Sequence, residues 1–560
     1  MIKKSRPLTK KPNTVSKDLV ILGLIISLFF GIFLGTRPLS VPDEGRYTEI
    51  PREMVETGDF VTPRLNGVKY FEKPPLVYWL AAASVKAFGI NEWALRFWPA
   101  IFALFGCLAT YLFGRRFYSR QTGIAASLIL ASSLLYYAHS RILILDMPVS
   151  VLLTGALFSF FAAVFEKNKN RKRLLLAGFF TFSAGALMTK GLLGIVLPGG
   201  IILLWSLFYK RYDALKLAFN PWGILLFLGL ALPWHILASL RNPEFFDFYI
   251  IHEQILRFLT TVHKRSQPFW FFIPIIFLGL FPWIAFLHKA LVDTYNILKT
   301  KAETHLTDAF LVIWIVFIFL FFSASSSKLI PYIVPVFPAF ALLLGRTVSK
   351  AWLNNDFTPY TLSIGIFQGL ASLLIIAAPI ALYVEKKLDN LLITPYAAAT
   401  VAILFIGLVL TFIYRRKNNI RALLLTVGLS SALMYIPLNK AWVHLEGRSI
   451  YPLAQELKSR LQKEDLVISW HRYYQDLSPY IERITYVVDY LTEMSFGAGV
   501  EDVSGWMLNE EGFKEIINSG KSFYIVTRAA FVEDMQNRHP DLKNLQIIAR
   551  SGKDILLTNK

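Results

Sequence analysis

Cysteine is almost missing from this chain: among 560 residues there is one, Cys107, inside an apolar run. That excludes an intrachain disulfide and a cysteine-rich metal site. Charge is scarce too. Charged residues make up 17% of the sequence and hydrophobic ones 55%, whereas soluble domains carry about 25% charged residues. No internal repeat and no low-complexity tract is visible, and no RNA-type motif or basic helix accompanies the net charge of +20. Nucleic acid is therefore not an expected partner. The basic N-terminal segment (Lys3, Lys4, Arg6, Lys10, Lys11, Lys17) precedes an apolar run from Leu19 with no A-x-A site after it. An uncleaved first helix is expected rather than a signal peptide.

What the chain has in quantity is apolar segments of spanning length. Crossing a bilayer takes roughly 17–25 apolar residues, and thirteen segments qualify or nearly qualify: 19–38, 93–113, 121–138, 147–165, 174–189, 191–209, 221–240, 269–288, 308–324, 331–345, 360–383, 396–414 and 421–437. With the N-terminus inside, every second loop is basic: 114–120, 166–173, 209–211, 288–301, 346–350 and 414–417. This is the positive-inside pattern, and it places the membrane itself, with its anionic lipid, as the partner of the excess charge. The expectation is an all-α polytopic membrane protein with about thirteen transmembrane helices over 1–438.

Two stretches are not spans. The first outer loop, 39–92, is polar and contains two short helical patterns, 49–57 and 76–88, suited to the interface. Beyond 439 the composition turns mixed. Strand-like runs at 466–470, 484–488, 522–526 and 554–557 alternate with helical ones at 453–462 and 511–518. A small α/β domain over 439–560, on the outer side, is predicted.

Ionisable residues are costly near a bilayer, so their positions are informative. They gather in the outward segments: Asp43, Glu44, Arg46, Glu49, Arg52 and Glu53, then Arg64, Lys69, Glu72 and Lys73, then His139, Arg141 and Asp146, then His252, Glu253 and Arg257, and finally Lys328 with Tyr332. Acids and cations converging on one face suit a substrate with a phosphate and a polar sugar. Lysine and arginine hold phosphate oxygens by charge-assisted hydrogen bonds. A carboxylate acts as base, orients an acceptor or stabilises positive charge on a sugar ring. Each residue also has a plainer reading. Asp43 caps a helix, Glu72 and Lys73 form a surface ion pair worth at most about 1 kcal/mol, and Trp270, Phe271 and Phe272 form an interfacial belt.

The segment PDEGRYTEIPREM (42–54), with Gly58-Asp59, TPRLNG (62–67) and YFEKPPL (70–76), resembles the first periplasmic loop of the bacterial lipid A 4-amino-4-deoxy-L-arabinose transferases. These are GT-C superfamily enzymes related to protein O-mannosyltransferases. The resemblance continues at RILILDMP (141–148), HEQILRF (252–258) and SKLIPY (327–332), and fades over 439–560. It implies a GT-C fold in the inner membrane and an inverting glycosyltransferase. Such an enzyme moves a sugar from undecaprenyl phosphate to a lipid A phosphate at the periplasmic face. By the same resemblance Asp43, Asp146 and Glu44 are the acids at the reacting centre. Lys73, Arg257, Tyr332 and Lys328 hold the carrier phosphate, and Glu72 with His252 hold a divalent metal ion. The chemistry itself does not require that ion, because Lys73 and Arg257 neutralise a monophosphate leaving group. The residues leave open other sugars (hexosamine, uronic acid, mannose) and other acceptors (core sugar, protein). A polyprenyl-linked sugar transporter is the rival class, disfavoured because the charged groups lie at one face and no inverted repeat is seen.

Overall fold

In the computed structural model, residues 13–256, 266–300, 304–384, 393–445 and 449–560 are described. Arg257, the N-terminal basic run before Asn13 and Lys301 lie outside the described residues. Each of the thirteen apolar segments is helical over most of its length. Nine described helices are long and apolar enough to cross a membrane, and Phe269–Gly279 with Trp283–Thr300 forms a tenth candidate bent by 104°. Three segments fall short of that standard. The run at 121–138 divides into Arg120–Ser132 and Leu134–His139, Leu193–Phe208 is short, and Lys169–Lys190 carries its basic residues inside the helix. The molecule is a multi-pass membrane protein.

Helix Glu92–Phe117 sets the two ends of the membrane part. Asn91 caps it by accepting from the Ala94 amide, the position where a side-chain oxygen satisfies an orphan donor. At 1.5 Å per residue its 26 residues span about 39 Å. Arg96, in its first turns, faces the first loop, and Arg115 at the other end pairs with Asp18 at 2.9 Å. The loop chemistry and the basic loops therefore occupy opposite ends.

The first loop folds into helix Asp43–Thr57, hairpin strands β1 (Arg64–Leu65) and β2 (Val68–Lys69), and helix Leu76–Phe88. The 76–88 helix has the predicted bounds. The other begins six residues before the expected 49, because Asp43 and Glu44 supply acids to its first turn.

The C-terminal domain is a six-stranded sheet, its strands ordered Met507–Leu508 (β5), Tyr486–Val488 (β4), Leu466–Trp470 (β3), Phe523–Arg528 (β6), Asp554–Thr558 (β8) and Gln546–Ser551 (β7). Strands β3, β4, β5 and β6 are parallel, while β7 and β8 close it antiparallel. The predicted strands are β3, β4, β6 and β8; β5, two residues long, and β7, largely exposed, carry too little apolar pattern to be read. The last apolar helix runs past the expected boundary at 438 to Leu445.

This domain is seated on the first loop. Ile50, Leu65, Val68 and Val77 of the loop share one buried cluster with Leu453, Tyr473, Val487 and Val526. Asn66 is buried between them: its Nδ2 donates to the Thr485 carbonyl at 2.9 Å and its Oδ1 accepts from the Thr485 amide at 2.9 Å. The Trp506 indole donates to the Asn66 carbonyl at 2.8 Å. At Gly45 the backbone of 475–476 comes so close that an added Cβ would lie 2.6 Å from the Asp476 nitrogen.

Candidate active site

Where helix Asp43–Thr57, the segment after Tyr70, the start of helix Asp146–Val164 and the C-terminal domain meet, they enclose a cavity of about 720 Å³. Asp43, Arg46, Glu72, Lys73, Asp146, Lys190, His252, Glu253, Tyr332 and Glu493 line it. Asp43 is half exposed, with Oδ1 3.6 Å from Arg46. Arg46 also pairs with Glu493 and lies over the rings of Tyr47 and Tyr70 at 6.0 and 5.9 Å. Burial pushes the Glu493 carboxyl above its ordinary range, with Arg46 opposing the shift. Lys190 reaches Asp146 and stands 4.6 Å above the Tyr332 ring, a favourable place for an ammonium. Lys73 donates to the Glu72 carbonyl at 2.7 Å and lies 3.4 Å from Glu253.

One wall is a π-helix, Asp247–Leu256. Such turns are rare and concentrate at functional sites. Its wide turn sets the rings of Phe248 and His252 in a stack at 5.3 Å, while Phe248 stacks on Phe496 of the C-terminal domain at 3.6 Å. The π-helix and that domain are thus joined over the cavity.

Of the residues singled out by sequence, Asp43, Asp146, Lys73, Tyr332, Glu72 and His252 all line this cavity. Glu44 and Lys328 do not, which corrects their expected roles. Glu44 is fully buried, accepting from Arg96 Nε and Nη2 at 2.8 Å each, Arg37 at 2.9 Å, and the Ser40 and Leu143 amides at 2.8 and 2.9 Å. Burial alone would raise its pKa, but Arg96 and Arg37 outweigh it and hold the carboxyl at about 2. Lys328 spends its ammonium on the carbonyls of Ser325 and Gln267, at 2.7 and 2.9 Å. Arg141 is likewise structural: it donates to the Phe30 and Ile32 carbonyls at the end of the first helix, at 2.6 Å each.

Arg46, Lys190 and Glu493 were given no role from sequence. Lys190 had a signal, being a lone cation between two apolar runs. Glu493 had none, since its partner Arg46 is remote in the chain. Glu72 and His252 share the cavity with Glu253, whose Oε1 lies 3.4 Å from His252 Nδ1. Among the described residues, the group of three metal-ligating side chains with converging atoms is His471, Asp489 and Glu510, in the C-terminal domain.

A helical membrane body thus carries a polar cavity at one end, roofed by a small α/β domain. The family model for dolichyl-phosphate-mannose-protein mannosyltransferases matches residues 37–249. An undecaprenyl phosphate-alpha-4-amino-4-deoxy-L-arabinose arabinosyl transferase of Aeromonas salmonicida (strain A449) is 33% identical over 353 residues, covering 60% of this chain and 63% of that protein. The chain thus spans under two thirds of that relative's length. A second such transferase, from Proteus mirabilis (strain HI4320), is 28% identical over 495 residues, covering 86% of this chain and 83% of its own. The crystal structure of ArnT from Cupriavidus metallidurans bound to undecaprenyl phosphate superposes with a TM-score of 0.84 at 24% identity, over 98% of this chain and 99% of that one. The resemblance seen in the first loop thus extends to the whole fold, C-terminal domain included.

Proposed function

We propose that the chain is an inverting glycosyltransferase that moves 4-amino-4-deoxy-L-arabinose from undecaprenyl phosphate to a phosphate of lipid A. The reaction would take place at the periplasmic face of the bacterial inner membrane. The observation that carries the reading is the cavity itself: acids and cations from six chain segments meet at the end of the helical body opposite the basic loops. The named relatives supply the donor and the sugar by similarity.

In this reading Lys73, Lys190 and Tyr332 hold the carrier phosphate, with Arg257 as a further cation. The acceptor oxygen bonds to the anomeric carbon while the bond from that carbon to the carrier phosphate oxygen breaks, and the electron pair leaves with undecaprenyl phosphate. An ionised phosphate acceptor needs no base. Asp43 and Asp146 therefore act by orientation and by stabilising positive charge on the ring as it departs. Carboxylates outnumber lysine and arginine among the described lining residues, five to three. That excess favours a sugar carrying its own ammonium over a neutral hexose.

The test is mass spectrometry of lipid A from a transferase-deficient Gram-negative strain expressing the chain, wild type beside Asp43→Asn. A gain of one aminoarabinose per modified phosphate with wild type alone is expected. No gain from either, with both proteins verified in the membrane, would reject this donor and acceptor pair.

A further inference from the structure

We infer that the C-terminal domain holds a divalent transition-metal ion, of the Zn²⁺ class, on His471, Asp489 and Glu510. This site is separate from the cavity and does not depend on the glycosyltransferase reading. Its basis is topological. Strands β3, β4 and β5 are adjacent and parallel. His471 directly follows β3, Asp489 directly follows β4 and Glu510 stands two residues past β5. Three side chains able to ligate a metal thus leave the carboxyl ends of three neighbouring strands, the edge at which open α/β sheets bind ligands.

The local geometry fits an ion better than it fits hydrogen bonds. His471 Nε2 lies 3.8 Å from Asp489 Oδ2 and 3.6 Å from Glu510 Oε1, and it has no hydrogen-bond partner although the atom is buried. One ligand atom from each residue falls within 4.8 Å of the others. Two ligands about 2.0 Å from a tetrahedral Zn²⁺ stand roughly 3.3 Å apart, so His471 is within a few tenths of an ångström of that spacing from each carboxylate, and the two carboxylates close from at most 4.8 Å. Imidazole with two carboxylates is a donor set that Zn²⁺ accepts, with a fourth position for water.

The ligands are also oriented from behind. The His471 ring stacks on buried Trp470 at 3.8 Å, and its amide donates to the Val488 carbonyl at 3.0 Å. The Asp489 amide donates to the Leu508 carbonyl at 2.9 Å. Buried His539 bonds the second oxygen of Glu510 at 2.6 Å, the kind of outer contact that fixes a ligating carboxylate. Arg538 lies 3.3 Å from Glu510 Oε1 and competes with a cation there, but it is half exposed and has Asp534 as an alternative partner. A consequence reaches the cavity. The chain leaving Asp489 carries Thr492, Glu493, Ser495 and Phe496 into the lining, so an ion on Asp489 anchors the segment that roofs the site.

The experiment uses full-length, tag-free protein in detergent, stripped with chelator and titrated with Zn²⁺, reading bound metal by elemental analysis and the melting temperature. Wild type should hold one equivalent that is lost in His471→Ala, Asp489→Asn and Glu510→Gln. His252→Ala, at the cavity, should keep it. Zn²⁺ should raise the melting temperature of wild type and not of the three variants, and His539→Gln should weaken binding about tenfold. If His471→Ala does not fold, the two isosteric variants decide. Equal Zn²⁺ content in wild type and in folded Asp489→Asn and Glu510→Gln would overturn the assignment.

Discussion

Asp43 and Glu44 are adjacent in sequence and belong to two different regions of the molecule. Glu44 is the centre of a closed node: every lone-pair direction is taken by Arg96, Arg37 and two amides, and nothing of it is exposed. Asp43 opens into the cavity, half exposed, with one distant cation at 3.6 Å. An acid already saturated with donors cannot bind a substrate; one that is only loosely paired can. The node ties the end of the first helix, helix Asp43–Thr57, helix Glu92–Phe117 and the 143 loop into one frame. The cavity is what that frame positions.

The sharpest way to break the node is Glu44→Ala. It strands the Arg96 guanidinium, 1% exposed, and removing one partner of a buried ion pair costs about 3–5 kcal/mol. A large fall in melting temperature in detergent, with poor recovery from the membrane, is expected; a melting curve like wild type would show that the node is not structural. Asp43→Asn is the opposite case. Melting should be unchanged, while transfer to lipid A falls about 100-fold or more, the scale of losing a positioned carboxylate. Near-normal turnover would remove Asp43 from the chemistry.

Legibility in the sequence followed the range of the interactions. The apolar segments, helix 76–88 and strand β3 were readable because each is a local pattern of period 3.6 or 2. Cavity residues were readable in the first loop, where charges that composition would not place near a bilayer stand together. Glu44 was misread because its saturation depends on Arg96 and the Leu143 amide, which only the fold brings near. The roof was unreadable for the same reason: Glu493 and Phe496 sit in a segment with little local pattern, and their partners Arg46 and Phe248 are hundreds of residues away.

A smaller effect tests the cavity's cations. Lys73 contacts the Glu72 carbonyl and Glu253, and its proposed use is the carrier phosphate. Lys73→Ala should raise the KM for the undecaprenyl-linked donor about tenfold, the scale of one hydrogen bond to a charged group, with melting unchanged. An unaltered KM would assign the phosphate to other cations.

The smallest effect compares two fully buried acids with different surroundings. Glu44 faces two arginines and is held at about 2, whereas Asp476 accepts from neutral groups, the Ser449 hydroxyl and the Ile450 amide among them, and is pushed by burial from 3.8 to about 6. Because the folded-state pKa is raised, Asp476 favours folding fully below 3.8 and loses that contribution as pH rises through about 6. Asp476→Asn has no carboxyl to ionise. Relative to wild type, the variant should therefore gain about 1 kcal/mol on moving from mildly acidic to mildly alkaline pH, read as the difference between the two melting temperatures. Glu44→Gln should show no such crossing over the same window, since its carboxyl is ionised throughout. If the Asp476→Asn difference were flat with pH, the carboxylate must find a cation or water in the folded protein, and burial beside Gly45 would not be what sets its charge.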